Sequence, residues 1–210
     1  MRSSGCLELQ LDGDAAQDCA SFLQESWVEG RCRLTPNVTL AGFNTYDLTL
    51  KQHSPKQQAV NTLLIETKHI PTARTMIPGF HAMETALKFK IERTLGFKVE
   101  LHSAHGLKQG PHTTGSTAFS WHQDDDEHKS IVISAGVKLT GDFPGEGPSR
   151  MCVAGAPDLF QYSSRTGSTA VFYAHLIHSS VIPLSEREHL KMVFFFNLVS
   201  IYICLNISIN

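Results

Sequence analysis

The sequence predicts an α+β chain that is mainly β, with helices gathered toward the N-terminus and a β-rich half behind them. Three observations carry this. From Phe80 to Leu95 the apolar residues Phe80, Met83, Leu87, Ile91 and Leu95 fall on one helical stripe, and Gly96 follows where a terminating glycine belongs. After Gly96 the apolar spacing changes from helical to alternating. The alternating runs are short and separated by turn-rich segments at roughly ten-residue intervals, the pattern of a sandwich, barrel or jelly roll.

Length and composition set the frame. The chain has 210 residues, enough for one domain with a hydrophobic core. No internal repeat or low-complexity linker divides it. A single domain spanning 1–210 is expected, with a helical or mixed part at 1–97, a β core at 98–197 and a tail at 198–210. Apolar residues make up 41% and charged residues 18%, as in ordinary globular proteins. A net charge of -2 and a pI of about 6.6 give no global basic field to attract nucleic acid or an anionic membrane. No run of eighteen apolar residues is present, so no membrane span is expected. The start, Met1 to Cys6, leads into Glu8 and Asp12 without the apolar centre of a signal peptide. Cys6, Cys19, Cys32, Cys152 and Cys204 are odd in number and scattered, which suits free thiols in a reducing compartment. An intracellular protein, cytoplasmic or nuclear, is expected.

In chain order, Asp14 is the expected N-cap of a helix carrying Cys19, Phe22, Leu23 and Trp27 and running to about Glu29. Leu34 to Asn37 and His53 to Lys56 are turn sequences. Tyr46, Leu48 and Leu50 alternate as in a half-buried strand, and Ala59 to Thr67 fits either strand or helix. The helix from Phe80 presents Lys88, Lys90, Glu92 and Arg93 on its other side, read as a solvated face. Strand-like runs follow at Val99-Leu101, Ala118-Phe119, Ile131-Ile133, Val137-Leu139, Met151-Val153, Ala170-Phe172 and Met192-Phe196. The turns between them include Lys108-Pro111, Gly141-Gly145, Gly155-Asp158 and Arg165-Gly167.

The chemistry-bearing stretch is Trp121-His122-Gln123-Asp124. Its imidazole and carboxylate are two residues apart, so on a strand or its end they point the same way and can touch one ion. A third ligand comes from His178, more than fifty residues later, after the glycine-led run Gly167 to Phe172. Two histidines and one carboxylate with open positions make the facial set that suits non-haem Fe(II). A basic cluster, Arg187, His189 and Lys191, leads into Phe194-Phe195-Phe196.

That order resembles the Fe(II)/2-oxoglutarate-dependent dioxygenases, over roughly Val99 to Asn197 with the helix before it. The resemblance implies a double-stranded β-helix with N-terminal supporting helices, and iron held by His122, Asp124 and His178. It implies 2-oxoglutarate chelating the metal through its keto-acid end, with a cation holding the far carboxylate. Decarboxylation to succinate and carbon dioxide would drive oxidation of a substrate C–H bond.

The departure from the family pattern lies at that cation. An arginine is usual about ten residues beyond the distal histidine; alignment on Met192 to Phe196 puts His189 at that place and Lys191 two further on. Lys191 is preferred because an ammonium stays charged at neutral pH, and Arg187 is the alternative in the preceding turn. Lysine lacks arginine's bidentate fork, which keeps open an ascorbate-using enzyme similar to the TET-like algal 5-methylcytosine dioxygenases, a subgroup also suggested by Glu127. A non-catalytic cupin-type binding module is the third reading. His175 is expected outside the metal set. His102, His105 and His112 are expected on the surface or in a hydrogen-bonded pocket wall. Tyr162 and Arg150 are candidate pocket residues, and Trp121 is expected in the core. The substrate (small molecule, protein side chain or nucleobase) is left open.

Overall fold

The computed structural model describes residues 5–28, 31–35, 38–39, 44–48, 60–109, 117–118, 121–124, 130–141, 143, 147–182 and 187–199. The chain opens with strand β1 (Cys6–Gln10), helix α1 (Gly13–Ser26) and the short strands β2 (Trp27–Val28), β3 (Arg31–Thr35), β4 (Val38–Thr39), β5 (Asn44–Leu48) and β6 (Val60–Ile65). Helices α2 (Ile70–Met76) and α3 (Phe80–Leu95) follow. The β half holds β7 (Val99–Gln109), β8 (Thr117–Ala118), β9 (Ile131–Lys138), β10 (Ser149–Val153), β11 (Phe160–Tyr162), β12 (Ser168–Tyr173), β13 (His178–Ile182) and β14 (His189–Leu198). A seven-stranded sheet runs β1-β12-β9-β14-β7-β6-β5, and a four-stranded sheet runs β11-β10-β13-β8. All of their pairings are antiparallel.

Several local expectations change. The first helix is capped by Asp12, whose Oδ1 accepts the Asp14 N–H at 3.0 Å, so Asp14 already lies inside the first turn. That helix stops at Ser26, and Trp27 belongs to β2. Residues 60–65 are a strand, paired to β7. Ile131–Ile133 and Val137–Leu139 are joined in the single strand β9, because Ser134 and Gly136 continue the pleat. β7 runs on through Lys108 and Gln109, which were read as a turn, because β14 pairs with it along its whole length. The N-terminal part is more than supporting helices: β1, β5 and β6 extend the large sheet on both sides. The His53–Lys56 turn lies outside the described residues. Among the described residues no helix is long and apolar enough to cross a membrane.

Alternation separates two cores. On β14, Leu190, Met192, Phe194 and Phe196 pack beneath α1 and α3 with Leu23, Phe80, Leu87 and Ile91. The Phe80 and Phe194 rings meet at 5.2 Å. The opposite face of the large sheet meets the small one, where Ala170 and Phe172 pack with Met151, Val153, Phe160 and Tyr162. β7 obeys the same rule only with a bulge. Phe195 pairs with Ser103 and Phe196 with Leu101, so His102 is an extra residue on β7. Val99 and Leu101 before the bulge, and Ala104 after it, all reach the helix-side core. The bulge thereby turns His105 and Leu107 toward the inner face.

Candidate metal centre

His122 and His178 face each other across an isolated antiparallel bridge, each accepting the other's backbone N–H at 3.0 and 2.9 Å. Asp124 is tied to the end of β12 by its N–H, which donates to the Ala174 carbonyl at 2.9 Å. Three side chains distant in sequence therefore converge. His122 Nε2 lies 3.3 Å from Asp124 Oδ1, and His178 Nε2 lies 3.7 Å from Oδ2. One ligand atom from each of the three lies within 4.8 Å of the others. His178 opens β13; the β12 strand that precedes it ends at Tyr173.

The protonation chemistry suits a cation. His178 Nδ1 lies 3.0 Å from the Leu176 carbonyl, so Nδ1–H is the bonded tautomer and the Nε2 lone pair faces the centre. Burial pushes the His178 imidazole down, against the pull of Asp124 and the Leu176 carbonyl. Burial pushes the Asp124 carboxyl up, but hydrogen bonding from His122 and the neighbouring His178 hold it below its ordinary value. At neutral pH the centre is an ionised carboxylate beside a neutral imidazole, the state a divalent ion requires. The donor set of two nitrogens and one carboxylate oxygen fits Fe(II) and leaves positions open.

The three residues line a cavity of about 170 Å³ between the seven-stranded and the four-stranded sheet. Lys191 also lines it, with Val193 and Phe195 from the same strand face. Gly136 contributes open floor, since a Cβ there would meet no atom within 4 Å. Tyr162 lines the cavity, whereas Arg150 is exposed.

The other two basic candidates sit apart from the cavity lining. His189 is buried with its ring edge-on to Phe143 at 5.2 Å, and the exposed Arg187 places its guanidinium 5.0 Å from the centre of the same ring. His175 is exposed and stacks on Tyr173, while its carbonyl accepts from Gln123 Nε2 at 2.5 Å. Trp121, expected in the core, is 56% exposed, because it precedes the bridge instead of sitting within a strand. His112 and Glu127 lie outside the described residues.

Lys138 was not singled out by pattern, and His105 was expected on the surface or in a hydrogen-bonded pocket wall. Lys138 is the cross-strand partner of Lys191 and is buried; its Nζ donates to Ser149 Oγ at 2.9 Å, joining the two large sheets. His105 stands in the cavity wall, its ring 4.7 Å from that of Phe195. Strand alternation carries no signal for His105, because the bulge at His102 reverses it.

No protein-family model matches this sequence, and no curated protein matches it either. Comparison of structures does find similar folds. A prolyl-4-hydroxylase from Pseudomonas putida superposes with a TM-score of 0.60 at 16% identity, covering 94% of this chain and 95% of that one. An oxidoreductase of the 2OG-Fe(II) oxygenase family from Burkholderia pseudomallei gives 0.61 at 12% identity, covering 93% and 86%. EctD from S. alaskensis, with 2-oxoglutarate and 5-hydroxyectoine, gives 0.56 at 17% identity, covering 93% and 72%. The chain has the double-stranded β-helix fold of these iron- and 2-oxoglutarate-dependent oxygenases.

Proposed function

We propose that this protein is an Fe(II)- and 2-oxoglutarate-dependent oxygenase, a non-haem iron oxidoreductase that oxidises a substrate C–H bond with release of succinate and carbon dioxide. The observation that carries the reading is the convergence of His122, Asp124 and His178 in the wall of a cavity that Lys191 also lines. The fold shared with known 2-oxoglutarate enzymes favours this co-substrate over an ascorbate-dependent reaction, and the ionised, convergent donor set favours an enzyme over a bare binding module.

His122 and His178 would give neutral imidazole nitrogens to the metal, and Asp124 a carboxylate oxygen. Bound iron with the keto acid supplies dioxygen activation, with the keto acid as electron donor. The chain's own groups set the geometry. The Leu176 carbonyl fixes the His178 tautomer, and the Lys191 ammonium pairs the far carboxylate in a wall otherwise built from Leu107, Met151, Phe172, Val193 and Phe195. That apolar wall keeps water from competing for the charge pair. The cavity of about 170 Å³ is small beside the roughly 300–1,000 Å³ of pockets for drug-sized ligands, so it suits the co-substrate, and the substrate approaches from outside it.

Anaerobic titration with Fe(II) and 2-oxoglutarate, followed by the visible charge-transfer absorption, tests this. Wild type develops the band. His122→Ala abolishes it, and Lys191→Ala raises the 2-oxoglutarate Kd by about 10- to 100-fold, the loss of one charge-assisted contact. Iron binding without a 2-oxoglutarate band in wild type would sink the co-substrate assignment.

A further inference from the structure

We infer that His105 is a co-substrate-binding residue, whose imidazole hydrogen-bonds the dicarboxylate where it passes between the metal ligands and Lys191. This rests on the functional reading above.

The placement comes first. His105 pairs with Val193 across β7 and β14, so along the cavity wall it stands level with the midpoint between Phe195 and Lys191. It shares the cavity with all three metal ligands, yet it is not one of the three groups that converge on the metal position. A molecule chelated at the metal and paired to Lys191 must pass it.

The chemistry comes second. The ring lies beside Phe195 and opposite Val193 in a cavity that also holds Asp124 and Lys191. Its one ring contact is the edge-to-face approach to Phe195 at 4.7 Å and 67°. Neither ring nitrogen makes a hydrogen bond among the described residues. A half-buried imidazole without a protein partner in the wall of this cavity is placed to hydrogen-bond a ligand there. Packing alone does not call for histidine here, because phenylalanine would keep the contact with Phe195. Burial drives the imidazole pKa down to about 4, so the ring is neutral at physiological pH and offers one N–H donor. A dicarboxylate with a keto group presents only acceptors, which that donor complements without adding a second cation beside Lys191.

The test uses His105→Phe, His105→Asn and His105→Gln, the last two placing an amide N–H near Nδ1 or Nε2. Each is titrated anaerobically, first with Fe(II) alone and then with 2-oxoglutarate on the iron-loaded protein. Iron affinity is expected to hold within threefold in all variants. The 2-oxoglutarate Kd rises by about 10- to 100-fold in His105→Phe, and one amide variant recovers part of that loss. An unchanged 2-oxoglutarate Kd in His105→Phe overturns the inference, as does a loss of iron affinity that accounts for the whole effect. If His105→Phe fails to fold, the amide variants decide: a 2-oxoglutarate Kd raised more than threefold in either, with iron affinity held, supports the inference, and wild-type 2-oxoglutarate Kd in both overturns it. Failure of wild type to bind 2-oxoglutarate overturns the functional reading instead, so the two failures are distinguishable.

Discussion

Acid should destabilise the metal-free protein through His105, and the size of the effect follows from its surroundings. Enclosure lowers the imidazole pKa from 6.5 to about 4, with Asp124 opposing the shift. In the unfolded chain the ring takes up its proton at the ordinary value, so between those two pH values the unfolded state binds more protons and folding stability falls as the pH is lowered. The stabilisation by the neutral ring is complete above the unfolded pKa and is lost as pH drops toward the folded one. Linkage at 1.36 kcal/mol per pH unit gives a loss of about 2 kcal/mol from pH 7 to pH 5 and about 3 kcal/mol by pH 4. Urea denaturation of the EDTA-treated protein at pH 7, 6, 5 and 4 measures it, with His105→Phe alongside. Other carboxylates and His178 titrate in both proteins, so the difference between the two pH profiles isolates His105. The variant should lose about 2 kcal/mol less than wild type between pH 7 and pH 5. Parallel profiles would refute the reasoning, because they would mean that the ring is solvated enough to charge freely.

Two further predictions rest on glycines. Gly136→Leu puts a side chain onto open cavity floor at a position without a positive φ, so the fold should be kept while the 2-oxoglutarate band is lost; melting and anaerobic titration of one sample read both. Gly79 and Gly96, at the two ends of α3, have φ of 73° and 77°, so alanine at either costs about 1–2 kcal/mol from backbone strain. A Cβ on Gly79 would also fall 1.9 Å from the Ala15 carbonyl oxygen while one on Gly96 meets nothing within 4 Å, so urea denaturation should find Gly79→Ala clearly the more damaging.

The helix from Phe80 to Leu95 was legible because its period, its buried stripe and its terminating glycine are all local. The His122–Asp124 pair was legible for the same reason, since two residues on one strand end share a direction whatever the rest does. His178 could be proposed from its place after a glycine-led strand. Its position opposite His122 comes from the edge of β13 that pairs with β8, away from β10, and it was not readable as the start of a strand, because His178 to Ile182 mixes polar and apolar residues without alternation. β1 was missed because five residues, Cys6–Gln10, are too short to carry a pattern of their own until β12 pairs with them.

By itself the sequence determined the class of the fold, the helix that backs it, and which residue types could hold a metal. These follow from periodicity and ligand chemistry, which are properties of short segments. Only the tertiary structure decided which basic residue enters the cavity, that Trp121 is exposed, and that His105 faces inward. Each of those depends on cross-strand register, and a single bulge at His102 reverses the face that every later residue of β7 presents.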